Sequence, residues 1–236
     1  MRSISGISAS YGIAIGPAFV FDRAEIVIEP HAIEDPAAEW LRFKKAREDT
    51  LSQLDEAYRV TMEEWGEEEA EIFNAQKLML NDPELINTAK SRVENELINI
   101  EFALYETAES FACQLEVIED EYLSARALDI RDVSSRCLRN LLGINESPAA
   151  SLTTPSIIVA QDLTPSDTVL LDKDFVLGFC TAEGGSTSHT AILARGLGIP
   201  AVVGTGEGLK EIKPGDKLVV DGDGGEGMVA SNASGY

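Results

Sequence analysis

Glycine is distributed so unevenly along this chain that it divides the fold before any motif is considered. Between Asp22 and Leu142 there is one glycine, Gly66, whereas fourteen of the nineteen lie from Gly178 onward. Glycine weakens helix interiors and is favoured in tight turns. The first stretch is therefore helical in composition, and the last is a region of strands and turns. Charge follows the same division. Residues 22–145 carry 29 acidic and 13 basic side chains, net −16, within a chain of net charge −22. Such a field repels phosphate backbones and anionic membranes, so neither nucleic acid nor a membrane surface is an expected partner.

Within the acidic stretch the helix signals are well placed. Pro36 suits a first turn, and residues 37–65 read as one long helix ending near Gly66. Residues 67–80 form a second, with acids at its start, where the helix dipole favours them. Asp82-Pro83 is an N-cap with proline at N1, opening a third helix toward Leu97, and Asn99 can cap a fourth running to about Val117. A fifth spans 121–142, with Leu123, Ala127, Ile130, Val133, Cys137 and Leu141 at spacings of three and four and Gly143 as its stop. Amphipathic helices on short links predict an antiparallel bundle. The ends read as strands. Residues 3–21 hold one or two, and 155–160, 175–180, 200–204 and 217–221 are short apolar runs with helical patches between them. The expected architecture is an α/β domain built from residues 1–21 and 146–236, with an all-α bundle, 22–145, inserted after the first strands.

Composition narrows the chemistry. Cys113, Cys137 and Cys180 are too widely spaced for a disulfide framework or a CxxC site. Only His31 and His189 are present, which excludes zinc sites needing several imidazoles and weakens a Ser-His-Asp hydrolase. No metal site is expected. The opening MRSISGISAS lacks an apolar export segment, so a reduced, cytoplasmic location is the expectation.

The chemically informative segment is GGSTSHTAILARGLGIPAVVG, residues 184–204. Gly184 and Gly185 allow positive φ or close backbone approach to a ligand. Ser186, Thr187, Ser188 and Thr190 supply hydroxyls, and Thr187 or Ser188 can cap the helix that follows. His189 then falls in its first turn, where N–H groups and the dipole attract an anion. A neutral imidazole, with an ordinary pKa of about 6.5, is a competent nucleophile. A phosphoryl group on it needs N–H and O–H donors rather than carboxylates. The plainer reading is a glycine-rich turn with a capping serine and an incidental histidine. A simple phosphate loop lacks the Walker pattern here.

This segment resembles the phosphohistidine signature of the phosphoenolpyruvate-utilising enzymes, in which a swivelling α/β domain carries phosphate on histidine. Within that superfamily the chain is similar to the N-terminal half of the Enzyme I family of the bacterial sugar phosphotransferase system. The resemblance also rests on ISGISASYGIAIGPAFV (4–20), IFNAQKLMLNDPEL (72–85), YLSARALDIRDVSSRCLRNLLG (122–143) and DLTPSDT (162–168). It implies a transferase in which His189 accepts phosphate from phosphoenolpyruvate, on Nε2, and passes it to the carrier protein HPr. It implies further that Thr168 lies near the ring and that Gly184, Gly185, Thr187, Ser188 and Thr190 line the phosphate site. Glu67, Glu68, Asp82, Leu85 and Arg126 match positions of its HPr-binding motifs. No cofactor is implied in this chain, and Mg²⁺ belongs with the family's C-terminal phosphoenolpyruvate-binding domain, the other implied partner. The family usually has Arg where this chain has Ser186, and His where it has Gln76.

Alternatives stay open at this level. Thr168 is otherwise a polar residue in a short helix, and the carboxylates are otherwise solvated charge. Arg126 either reaches a partner phosphoryl group or pairs with Asp129. Arg195, about 9 Å beyond His189 along a helix, serves the helix C-terminus as readily as phosphate. His31 reads as an exposed connector residue. As whole-chain readings, a nitrogen-regulatory or dihydroxyacetone-kinase phosphotransferase module, or one of pyruvate phosphate dikinase, belongs to the same superfamily. A non-catalytic acidic binding module is of another class, and a serine hydrolase using Ser186 or Ser188 is the weakest.

Overall fold

A computed structural model describes residues 2–22, 26–64, 66–144 and 152–230, in two compact units, 1–24 with 146–236 and the intervening 25–145. Trp65, the expected end of the first helix, and the seam at 145–151 lie outside the described residues.

The intervening unit is helical: α1 (Pro36–Glu64), α2 (Glu67–Leu80), α3 (Pro83–Glu96), α4 (Ile100–Glu116) and α5 (Glu121–Leu142). Helix α1 packs on α2 and α5, and α4 on α3 and α5. The buried positions of α1 (Phe43, Ala46, Thr50, Leu54, Ala57 and Thr61) recur at helical spacing and give it a single inward stripe. Phe73, Leu80, Val93, Leu104 and many alanines complete the core. Asp82 caps α3, its Oδ1 accepting from Glu84 N at 2.7 Å. Asn99 stands at the N-cap position of α4, but its side chain does not cap. Instead Asn99 Oδ1 accepts from His31 N at 3.0 Å, and the Ile100 amide donates to Glu39 of α1 at 2.9 Å. The connector that sequence leaves featureless is thus pinned through its backbone, while His31 itself is exposed.

The other unit is one eight-stranded sheet: β1 (Arg2–Ser5), β2 (Ile7–Ser10), β3 (Ile13–Phe21), β4 (Ser156–Ala160), β5 (Val176–Thr181), β6 (Ala201–Val203), β7 (Lys217–Asp221) and β8 (Glu226–Ala230). The order is β1-β8-β7-β3-β4-β5-β6-β2. Strands β3 to β6 are parallel and the rest antiparallel. Every residue of β4 is buried, as a central parallel strand requires. Strands β1 and β2 stand at opposite ends of the order yet only Gly6 separates them, so the sheet curls until its ends meet. Gly6 N donates to Gly225 O at 2.9 Å, and a Cβ there would fall 2.6 Å from Val203 O. Sequence patterning anticipates fewer strands. Gly6 and Gly12 break residues 3–21 into three, and Gly227 hides the alternation of β8. Ile157, Val159, Cys180, Val202, Leu218 and Val220 lie in the core of this unit. Among its described residues are two α-helices, α6 (Pro165–Thr168) and α7 (His189–Leu197). Among the described residues no helix is long and apolar enough to cross a membrane.

Candidate functional site

Two short helices bring the chemistry together. Helix α6 follows β4 and is held by a capping box, in which Asp167 Oδ2 accepts from Thr164 N at 2.9 Å and Thr164 Oγ1 at 3.1 Å. Its last residue, Thr168, is buried. Helix α7 follows β5 across the glycine-rich turn. Of the two candidate caps the structure selects Ser188, whose Oγ accepts from Ala191 N at 3.3 Å. His189 is therefore the first residue of α7, half-buried, with Nε2 at 2.9 Å from Thr168 Oγ1.

That contact restricts the ring. Thr168 Oγ1 also lies 3.1 Å from Pro165 O, and a hydroxyl has one proton to give. Either the threonine donates to the proline carbonyl and receives Nε2–H, or it donates to a bare Nε2. In both cases the in-plane position at Nε2 is taken, by its own proton or by the threonine O–H, so chemistry through that atom requires the imidazole to turn away from Thr168 and to carry its one proton on Nδ1.

The turn before His189 is built by backbone. Gly184 has φ +96°, and a Cβ on it would meet Ser188 Oγ at 3.1 Å. Gly204, at φ +65°, comes so close that its own Cβ would lie 2.9 Å from Gly184 O. Gly204 N also donates to Glu183 O at 3.2 Å, and Ser188 N to Gly185 O at 3.0 Å. Gly185, by contrast, faces open space. The hydroxyls separate likewise. Thr187 is exposed and Ser188 half-buried, whereas Thr190 is 0% exposed and its Oγ1 has no hydrogen-bond partner. This corrects the expectation that Thr190 lines a phosphate site, because the second residue of α7 points into the core beneath the helix. Arg195 makes contacts that neither of its open readings anticipated. From the last turn of α7 its side chain runs back to the turn, where Nη1 donates to Ser186 O at 2.9 Å and Ala9 O at 3.0 Å. Sequence reading missed Gly204 and this use of Arg195. The only signal for the first was its place at the end of the motif.

Glu67 is exposed at the start of α2, and the side chain of Glu68 lies outside the described residues. Asp82 is exposed but occupied as a cap. Leu85 is 3% exposed and packs inward with Ala89 and Val93, one turn apart in succession, so a surface role for it is contradicted. Arg126 Nη1 pairs with Asp129 Oδ2 at 2.8 Å. Burial pushes the Asp129 carboxyl above the usual carboxylate range, with Arg126 opposing and Asp132 adding. Gln76 is fully buried, its Nε2 donating to Asp132 at 2.9 Å and its Oε1 unpartnered. Among the described residues no three His, Cys, Asp or Glu side chains are grouped as a metal would require.

The PEP-utilising enzyme family matches this chain twice, with its N-terminal region over residues 5–126 and its mobile domain over 152–225. This chain belongs to that family. A phosphoenolpyruvate-protein phosphotransferase of Priestia megaterium is 44% identical over 228 residues, 97% of this chain and 40% of that protein. An NMR solution structure of Enzyme I (nEIt) is 40% identical with a TM-score of 0.77, covering 98% of this chain and 94% of that one. The N-terminal domain of Enzyme 1 - Nitrogen is 27% identical with a TM-score of 0.63, over 96% and 93%. This member of the PEP-utilising enzymes spans about 40% of the length of the curated relatives it matches.

Proposed function

We propose that this chain is the histidine-bearing, carrier-docking half of a phosphoenolpyruvate–protein phosphotransferase. The Nε2 lone pair of His189 attacks phosphorus, the bond to the enolpyruvate oxygen breaks, and the enolate leaves to be protonated as pyruvate. In the return step a histidine of the carrier HPr takes the same phosphoryl group as the N–P bond breaks. The observation that carries this reading is the His189 ring at the mouth of α7, beside a glycine turn and on Thr168 at 2.9 Å. Amides of a helix N-terminus favour the charge that arrives, and Thr187 and Ser188 offer hydroxyls at the same place. Gly185, with nothing within 4 Å of its Cβ position, leaves the approach open. Thr168 holds the resting ring, and the ring rotates off it to react.

Partner choice follows charge. The bundle stretch is net −16, which attracts a carrier with a positive rim and speeds encounter more than it deepens affinity. Glu67, Glu68, Asp82 and Arg126 are the side chains assigned to that contact. Arg126 leaves Asp129 to meet the carrier's phosphoryl group. Phosphoenolpyruvate and its Mg²⁺ are assigned to the C-terminal domain of the longer relatives, and the site of action to the cytoplasm. Incubating the chain with phospho-HPr should add one acid-labile phosphate by mass spectrometry, and His189→Ala should abolish it. Persistent labelling of that variant, or no labelling of the parent chain, would overturn the assignment. The second result would leave a non-catalytic binding module.

A further inference from the structure

We propose that Arg195 is the positioning residue of the His189 turn: its guanidinium ties that turn to strand β2 and so fixes how the imidazole is presented. The proposal rests on the phosphoryl-transfer reading above. Side chains on a helix lean toward its N-terminus, so a long residue in the last turn of α7 can reach the loop that precedes the first. Arg195 does this. Its Nη1 meets Ser186 O at 2.9 Å and Ala9 O at 3.0 Å, one hydrogen for each carbonyl.

The second carbonyl is available for a structural reason. In the pairing of β2 with β6, Ser8 faces Val202 and Ser10 faces Ala201, so Ala9 is the extra residue of a bulge. Bulges take a residue out of the ladder and re-aim its groups. The guanidinium takes up what the ladder leaves. Charge points the same way. In a chain of 41 acids and 19 bases, no carboxylate among the described residues lies within ion-pair distance of Arg195. Its hydrogen bonds go to backbone on either side of the turn. Ser186 is three residues before His189, and the Gly185–Ser188 bond closes the turn between them. A turn fastened at Ser186 fixes Ser188, the cap of α7, and through it the first helical residue, which is the histidine. Arg195 acts through these groups, without touching the phosphoryl group.

Arg195→Met keeps the aliphatic stem and removes both hydrogen bonds, whereas Arg195→Lys retains an ammonium able to reach carbonyl oxygen. With phospho-HPr as donor, the maximal rate of His189 phosphorylation should fall about tenfold in Arg195→Met, since small misplacements of a reacting group cost one to two orders of magnitude. The half-saturating HPr concentration should stay within about twofold, because uniform binding is untouched. Arg195→Lys should recover a substantial part of the rate. The ¹⁵N shifts of the His189 ring and the amide exchange of residues 185–188 should change in the Met variant and revert toward the parent in the Lys variant. An unchanged rate, or a raised half-saturating concentration at full maximal rate, would overturn the positioning role. If the parent chain accepts no phosphate, the phosphotransfer reading falls separately. Unchanged ring shifts and amide exchange in Arg195→Met would then still sink the clamp.

Discussion

Gly204 and Gly185 border the same turn and ask to be substituted as a pair, because the structure assigns their glycines to different causes. At Gly204 a Cβ would sit 2.9 Å from the Gly184 carbonyl oxygen on a backbone with φ +65°. An L-residue in the left-handed region costs roughly 1–2 kcal/mol. Contact with backbone rather than with a flexible side chain adds about 1 kcal/mol or more, and the lower entropy of the unfolded alanine chain offsets about half of one. Gly204→Ala should therefore destabilise the sheet unit by about 2 kcal/mol, moving its urea midpoint down about 1 M for a slope near 2 kcal/mol/M. The transition should be followed on amide signals of β4 and β6, so that the bundle does not contribute. Gly185→Ala meets no atom within 4 Å and no positive φ, so its midpoint should stay level or rise slightly. Its effect should appear instead as slower phosphorylation of His189, where a methyl group narrows the approach. A Gly204→Ala midpoint equal to the parent's, or a Gly185→Ala midpoint as low as that of Gly204→Ala, would refute the reasoning.

Leu85→Ala should cost the bundle about 2 to 5 kcal/mol in denaturant unfolding, as a buried leucine does; a residue that serves only docking would leave that transition in place. Native-state alkylation at pH 8 should label Cys113, which is exposed, and spare Cys137 and Cys180, whose thiols burial pushes up to about 12. Labelling of all three before unfolding would contradict their burial. Asp129 has a sign that can be checked. Its folded carboxyl lies above the unfolded value of about 4, so the native state binds the extra proton in that window. Stability is lost as pH rises through the window, and the loss is complete above the raised value. Relative to the parent, Asp129→Asn should gain unfolding free energy as pH rises above about 4, and a pH-independent difference would exclude the effect.

Helix content was legible because the stretch is nearly free of glycine and its ends are marked by residues that act locally, as Asp82 does for α3. Asn99 shows the limit of that logic. A capping residue next to a long-range partner can be claimed by it, and Asn99 serves the His31 backbone while Glu39 takes over the amide of Ile100. The α/β unit was legible as a class from its apolar runs, but strands interrupted by glycine were merged or lost. At the site, a histidine in a first helical turn could be seen in the sequence. The nearness of Thr168 to it could not be read from spacing, because the two sit on separate helices and family resemblance alone implied it. Leu85 stands four and eight residues before Ala89 and Val93, a helical period that marks it as core whatever motif it also matches. For Arg195 the spacing along the helix axis gives its distance from His189, but not that its long side chain runs back to Ser186 and Ala9.

The sheet's two-ended construction has a consequence during synthesis. The strand at its centre, β3, leaves the ribosome early, yet Ala18 waits for Ile157 and Ile15 for Val219. The whole bundle is translated between, and its mostly local contacts can be satisfied as soon as it emerges. A nascent chain of this protein therefore carries a finished helical body between a strand segment that has no neighbours and a stretch not yet made. The ladder of β8 on β1 joins the first strand to one translated more than two hundred residues later, so β1 too waits for a distant partner.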